Sequence, residues 1–313
     1  MAPDRSATGL AERAKLEAAL LRRRRGTGAI PALPRTGEVQ RFPAGDSQRS
    51  MWLLDQVDPW PGARHIPEAV RVRGPLQLET LHLAMNDLVA RHEVLRTSFE
   101  LSGARLWQVV RPRLEVPLRL VDTTPDRLPE LVRTEGEVPF DLERGPLIRL
   151  VVLRAGPQDH VLLVAMHHSI ADGRSSEVMI SDLTALYAAR LQNLPAQLPE
   201  LPIQFADYAV WQQDRLAGPH GARLTEYWQA RLAGLPATRL PADLVPPRQR
   251  NWRSDNFVQP LPPELPGRVA ELARRRRTTG FVVYLAGYLT LLASLSGDRD
   301  LAVSVPTAGR LRP

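Results

Sequence analysis

The 313 residues contain no cysteine. Disulfides, cysteine-ligated zinc and a cysteine nucleophile are therefore excluded. Lysine is almost absent too: Lys15 is the only one, and arginine supplies the rest of the 41 basic residues that leave a formal net charge of +7. A basic chain invites a nucleic-acid reading. Here the excess of arginine comes with plentiful alanine, leucine and proline, which reads as a compositional bias toward GC-rich codons. Aromatic residues make up only 5% of the chain. None is interleaved with the arginine runs Arg22–Arg25 and Arg274–Arg277, as a single-strand binder would require. Both runs suit helix C-termini, where the helix dipole favours positive charge. Long apolar stretches are also missing. The first 25 residues have no apolar core of the secretory kind. The longest apolar run, Phe281–Leu295, falls short of the ~20 residues of a membrane span and is expected as a buried core helix. The expectation is a soluble, cytoplasmic protein with no nucleic-acid or membrane partner.

The hydrophobic fraction of 43% suits a globular chain, and the length allows one large domain or two ordinary ones. Residues 9–25 have helical spacing, with Thr8 as cap and Gly26 as stop. A linker with Pro31, Pro34 and Gly37 then sets residues 1–41 apart, as a docking segment or a solvated extension. The main body starts near Phe42. A helix carries Leu81, Ala84, Leu88 and His92, and a strand is expected over Val94–Phe99. Leu147–Leu153 and the run entering His167 read as a hairpin joined by Arg154–Asp159, and Ser176–Leu191 reads as a helix. Beyond the Pro-rich connector at 194–202, a helix is expected over 204–233. A strand at Asn256–Pro260, helices at Pro263–Arg275 and Phe281–Leu295, and a strand at Leu301–Val305 follow. The domains are expected as 1–41, 42–200 and 201–313.

The stretch richest in chemistry is Met166-His167-His168-Ser169-Ile170-Ala171-Asp172-Gly173. The preceding run, Val161–Met166, is apolar on both faces and reads as a buried central strand. Neighbouring side chains on a strand point to opposite faces, so one histidine can face a cleft while the other packs into structure. Because the two diverge, they do not suit a metal site.

The chain resembles the condensation domains of nonribosomal peptide synthetases, and the resemblance rests on five ordered motifs. Asp46–Gln56 looks like the first and Arg91–Phe99 like the second. His167–Gly173, preceded by Pro139–Leu142 and Gly145–Leu147, looks like the third. Phe205–Trp211 is similar to the fourth, and Ser304–Arg310 to the strand and turn before the fifth. Departures are Ser50 where arginine is usual, Arg174 for tryptophan, and Phe205 for tyrosine. The family's fifth motif is absent before Pro313. The implied fold is α/β, an α+β sandwich: a chloramphenicol-acetyltransferase-like half, then an incomplete second half, with a tunnel between halves in the complete family fold. The isolated chain is accordingly expected to be a poor catalyst.

The resemblance implies amide formation: the amino group of a carrier-bound aminoacyl acceptor attacks a carrier-bound acyl or peptidyl thioester. An α-amino group titrates near ~7.7–8 and a histidine near ~6.5, so a histidine can deprotonate or orient the amine, or hydrogen-bond the tetrahedral intermediate. His168 is the implied catalytic residue. His167, Asp172, Gly173, Arg91 and Arg96 are implied to be structural. Asp172 is expected in a buried ion pair with Arg91 or Arg96, and Gly173 in a turn or close approach that a Cβ would block. Asp207 and Trp211 are expected to pack and cap the linker between halves. No cofactor or metal is expected on the chain. Phosphopantetheine arms would arrive on upstream and downstream carrier proteins, alongside adenylation domains. The alternatives are a coenzyme A-dependent acyltransferase, an epimerisation domain, or an inactive fragment that binds carriers or partners.

Overall fold

A computed structural model of the chain describes residues 30–57, 61–236, 238, 241 and 258–307. The helix expected over 9–25 lies outside them. The chain forms two compact units that divide after Gly221, so of the region expected as a helix over 204–233, Phe205–Ala217 falls in the first unit and most of Pro219–Leu232 in the second.

In the first unit, β1 (Gln40–Pro43), β4 (Arg105–Val110) and β3 (Thr97–Ser102) form one sheet in the order β1-β4-β3. The larger sheet has the order β2-β7-β6-β5, built from β2 (His65–Arg73), β5 (Leu118–Asp122), β6 (Ile148–Gly156) and β7 (Asp159–His167). The expected hairpin is present: β6 and β7 pair antiparallel, with Ile148 opposite Met166. β5 runs parallel to β6, and β2 pairs antiparallel with the other edge of β7.

The hairpin is apolar on both sides because both sides are covered. Leu150, Val152, Val164 and Met166 share a core with Leu81, Met85 and Leu88 of α2 (Leu78–Arg91) and Met179, Leu183 and Leu186 of α4 (Gly173–Leu191). Val151, Leu153, Val161 and Leu163 instead pack against Leu128 of α3 (Leu128–Glu137). Strand parity sorts the two sets.

The sequence reading fails at one strand of this unit. Val94–Arg96 are not extended. Glu93–Arg96 form a 3-10 turn, closed by Leu95 N–H donating to the His92 carbonyl (3.0 Å) and the Thr97 hydroxyl to the Glu93 carbonyl (2.8 Å). β3 begins only at Thr97. The helix expected over 204–233 is two helices, α5 (Phe205–Ala217) and α6 (Pro219–Leu232). Pro219, which lacks an N–H, ends the ladder of the first helix and opens the second. Gly221 packs so tightly that a Cβ on it would lie 1.8 Å from the Leu216 carbonyl oxygen. At the start of α5, Gln204 and Asp207 form a reciprocal capping box. Asp207 also accepts from Leu33 N–H (3.0 Å) and Arg35 (2.9 Å), and Arg35 reaches on to Glu93. Asp207 thus ties the segment before β1 to α5. Trp211 lies on the next turn of α5 beside Tyr208, with ring centroids 5.9 Å apart.

The second unit contains α7 (Leu265–Arg275) and α8 (Gly280–Ser296). Both expected helices are there, with Val269 and Ala273 buried on the first of them. The burial expected for α8 is not, since none of its residues is buried and Phe281, Leu291 and Leu295 are at least half exposed. The expected strand at 301–305 is unpaired coil, as are residues 258–260 of the strand expected at 256–260, whose first two residues lie outside the described set. A free strand gains no ladder hydrogen bonds, and the pattern alone does not supply a partner. Among the described residues no single helix is long and apolar enough to cross a membrane.

Candidate active site around the paired histidines

β7 ends at His167, and the loop to α4 is fixed at nearly every residue. His167 N–H donates to the Leu147 carbonyl (3.0 Å), His168 N–H to the Arg64 carbonyl (2.7 Å) and Ile170 N–H to the His167 carbonyl (3.0 Å). His167, Ser169, Ile170 and Ala171 are buried. His168 alone in that stretch is exposed. A backbone held on both sides of one exposed imidazole is a rigid mount for a catalytic group.

The His167 ring points the other way, onto the α3 side of the sheet. It is 1% exposed. Nδ1 accepts from the Ser169 backbone N–H (3.1 Å) and from the Ser169 hydroxyl (2.8 Å). A nitrogen that accepts a backbone N–H carries no proton, so the proton sits on Nε2. Nε2 faces Asp55 Oδ1 at 3.4 Å, long for a hydrogen bond, and has no closer partner. Asp55 closes α1 (Asp46–Val57) and pairs with Arg64 Nε at 3.0 Å. His65 lies directly across from His167 in the β2–β7 ladder, with ring centroids 5.9 Å apart. The His65 Nδ1–H donates to the Gly136 carbonyl (2.9 Å), and its ring meets Phe140 edge-on. The Arg149 guanidinium lies over the Phe140 ring, 4.4 Å from its centroid. Burial pushes the His167 imidazole down to about 4, although the Asp55 carboxylate pulls the other way. The hydrogen bonds agree with that direction, because a proton on Nδ1 would oppose the Ser169 N–H.

The remaining site residues fall in other places. Asp172 is the N-cap of α4, accepting from Ser175 N–H (2.8 Å) and the Ser175 hydroxyl (2.6 Å). The expected pairing of Asp172 with Arg91 or Arg96 is incorrect. Arg91, in the last turn of α2, reaches Asp182 on α4 (3.0 Å), as does His92 Nε2 (2.8 Å). Arg96 sits 3.6 Å from Glu93 and donates to the Arg111 carbonyl (2.9 Å). The packing of α2 along α4 puts Asp182, not the N-cap, beside Arg91 and His92. Gly173 also departs from expectation. It is the first residue of α4, its φ is not positive, and among the described residues a Cβ there would meet nothing within 4 Å. No group of three or more His, Asp or Glu among the described residues is placed to hold a metal ion.

The Condensation domain family model matches residues 39–313. The chain belongs to the condensation-domain family. It is 36% identical over 306 residues to the nonribosomal peptide synthetase kk1B of Curvularia clavata, covering 96% of this chain and 2% of that protein. It is 34% identical over 304 residues to the phosphinothricin tripeptide synthetase PhsC of Streptomyces viridochromogenes, covering 94% of this chain and 28% of that protein. Among solved structures, the X-domain in its complex with OxyB from teicoplanin biosynthesis superposes with a TM-score of 0.77 at 31% identity, covering 87% of this chain and 60% of that one. The chain thus spans a small part of the curated relatives and three fifths of this solved chain. Membership in the family accounts for the α/β half with its histidine-bearing central strand.

Several residues around this condensation-domain histidine pair were not singled out in the sequence: Asp55, Arg64, His65, Phe140 and Ser169. Asp55 and Phe140 lie inside recognised motif segments, and Ser169 lies inside the third motif itself. Arg64 and His65 carry no signal of their own. Their position follows from the register that sets β2 against β7.

Proposed function

We propose that the chain forms amide bonds between a carrier-bound acyl or peptidyl thioester and the amino group of a carrier-bound aminoacyl acceptor, with His168 as the catalytic residue. The observation that carries this reading is the single exposed imidazole on a loop otherwise buried and hydrogen-bonded, at the end of the central strand. The amine nitrogen attacks the thioester carbonyl carbon, and the C–N bond forms as the C=O π pair moves to oxygen. Collapse of the tetrahedral intermediate breaks the C–S bond. His168 takes the proton that the amine sheds and returns it to the departing pantetheine sulfur, so the histidine is unchanged over the cycle. The phosphopantetheine arms belong to the partner carrier proteins, which adenylation domains load. The relatives named as peptide synthetases support this assignment.

The test is dipeptide formation between two loaded carrier proteins, in a form of the protein that turns over. His168→Ala should suppress it while leaving the melting temperature nearly unchanged. Unaltered product formation would refute the role of His168. One observation favours a second reading: the X-domain neighbour is found in a complex with OxyB. A module that only recruits a partner would bind the carriers yet form no product in either the native or the His168→Ala protein.

A further inference from the structure

We propose that Asp55 and Arg64 are positioning residues for His168, acting as a clamp that grips both histidines at once. The inference rests on the proposed role of His168. Arg64 is only 6% exposed and touches His168 directly and His167 by way of Asp55. Its carbonyl oxygen takes the His168 N–H at 2.7 Å, and its guanidinium Nε holds Asp55 at 3.0 Å. Asp55 in turn faces the Nε2–H of His167 at 3.4 Å. The other edge of the His167 ring holds Ser169 through two contacts, to its N–H and its hydroxyl. His168 is therefore bracketed. Its own amide is fixed to Arg64, and both neighbours in sequence meet in one imidazole that Ser169 holds at Nδ1 and Asp55 faces at Nε2. His65 adds an edge contact that blocks rotation of that ring from the β2 side.

The arrangement explains why Asp55 tolerates partial burial beside a neutral histidine. Its charge is compensated by Arg64, so the His167 ring needs only to offer an N–H. If Asp55 is removed, Nε2–H loses the acceptor it faces, Arg64 loses that carboxylate, and the imidazole is held by Ser169 at one edge alone. The loop that carries His168 would then lose its fixed geometry with no change to His168 itself. Displacement of a catalytic group by about 1 Å can cost on the order of 10²-fold in rate.

Two readouts test this. The first needs no turnover: long-range 1H–15N correlation of the histidine rings and amide exchange of His168, in the 313-residue chain. The native chain should show His167 protonated on Nε2 alone. Asp55→Ala should leave that proton on Nε2, because the Ser169 N–H still fills Nδ1, but should give roughly tenfold faster exchange at the His168 amide. Asp55→Asn keeps an oxygen for Nε2–H and should retain the slow exchange, which also covers the case in which Asp55→Ala fails to fold. The second readout is amide formation between loaded carriers. Asp55→Ala should lower kcat by about 10²-fold with KM for either carrier little changed. Unchanged His168 amide exchange and unchanged kcat in Asp55→Ala, with His168→Ala inactive, would overturn the clamp while leaving the proposed function intact. A His168→Ala protein as active as the native one would overturn the function instead, and amide exchange in Asp55→Ala would still judge the clamp.

Discussion

Two apolar stretches of similar appearance meet different fates. Val161–Met166 is the strand that leads into the histidines, and nearly all of it is buried, covered by α2 and α4 on one face and α3 on the other. Phe281–Leu295 is the longer apolar run, yet it forms a helix with no buried residue. An apolar run states a demand for cover but not its source. β7 finds its cover in helices whose apolar stripes are themselves written into the chain, with Leu81, Met85 and Leu88 on one and Met179, Leu183 and Leu186 on the other. α8 has no comparable set facing it among the described residues of its unit. The rigid mount for His168 depends on the first situation, in which strand, helix and loop are all fixed by one continuous core.

The largest expected effect sharpens this contrast through cavity creation. Leu88→Ala, in the core behind the hairpin, should cost about 2–5 kcal/mol, whereas Leu291→Ala on α8 should stay within about 0.5 kcal/mol. Chemical denaturation of both variants checks this, and comparable losses at the two sites would erase the distinction. Next comes pH. His167 is held down to about 4 in the fold against ~6.5 when unfolded. Between those values the unfolded chain binds the extra proton, so stability rises with pH. The contribution is complete above about pH 6.5 and is lost as pH falls toward 4, at most about 3 kcal/mol. Among the described residues Asp55, Arg64 and His65 are ionisable groups that act on this ring, and burial lowers His65 as well. His167→Gln should therefore flatten the pH dependence of unfolding between about 4 and 6.5 but not abolish it. A slope as steep as the native one would contradict the assignment. The smallest effect concerns the start of α4. Asp172→Ala removes a helix cap and should cost about 1 kcal/mol, measured by thermal melting.

Much of the first unit was legible because its signals are local. The β6–β7 hairpin followed from two apolar runs and a short loop, and α2 and α4 followed from helical spacing, all close to their observed bounds. Glu93–Arg96 was misread because Val94, Leu95, Arg96 and Thr97 alternate as a strand does, while the turn is closed by hydrogen bonds at His92 and Glu93 that no period reveals. The partner of Asp172 was misassigned for a different reason. Several carboxylates compete for Arg91, and only the packing of α2 against α4 selects Asp182. The two histidines separated as strand parity required, one buried and one exposed. Asp55 and Arg64 were not legible, because their bearing on the pair arises where the end of α1 meets the start of β2, roughly a hundred residues away in sequence.

The most direct test of the central claim sets the two adjacent histidines against each other in one experiment. Product formation between loaded carriers and the melting temperature are measured for His168→Ala and His167→Ala side by side. His168→Ala should abolish amide formation with a native-like melting temperature, and His167→Ala should lower the melting temperature by several degrees. The reverse pattern, an unstable His168→Ala protein and a stable but inactive His167→Ala protein, would contradict the account.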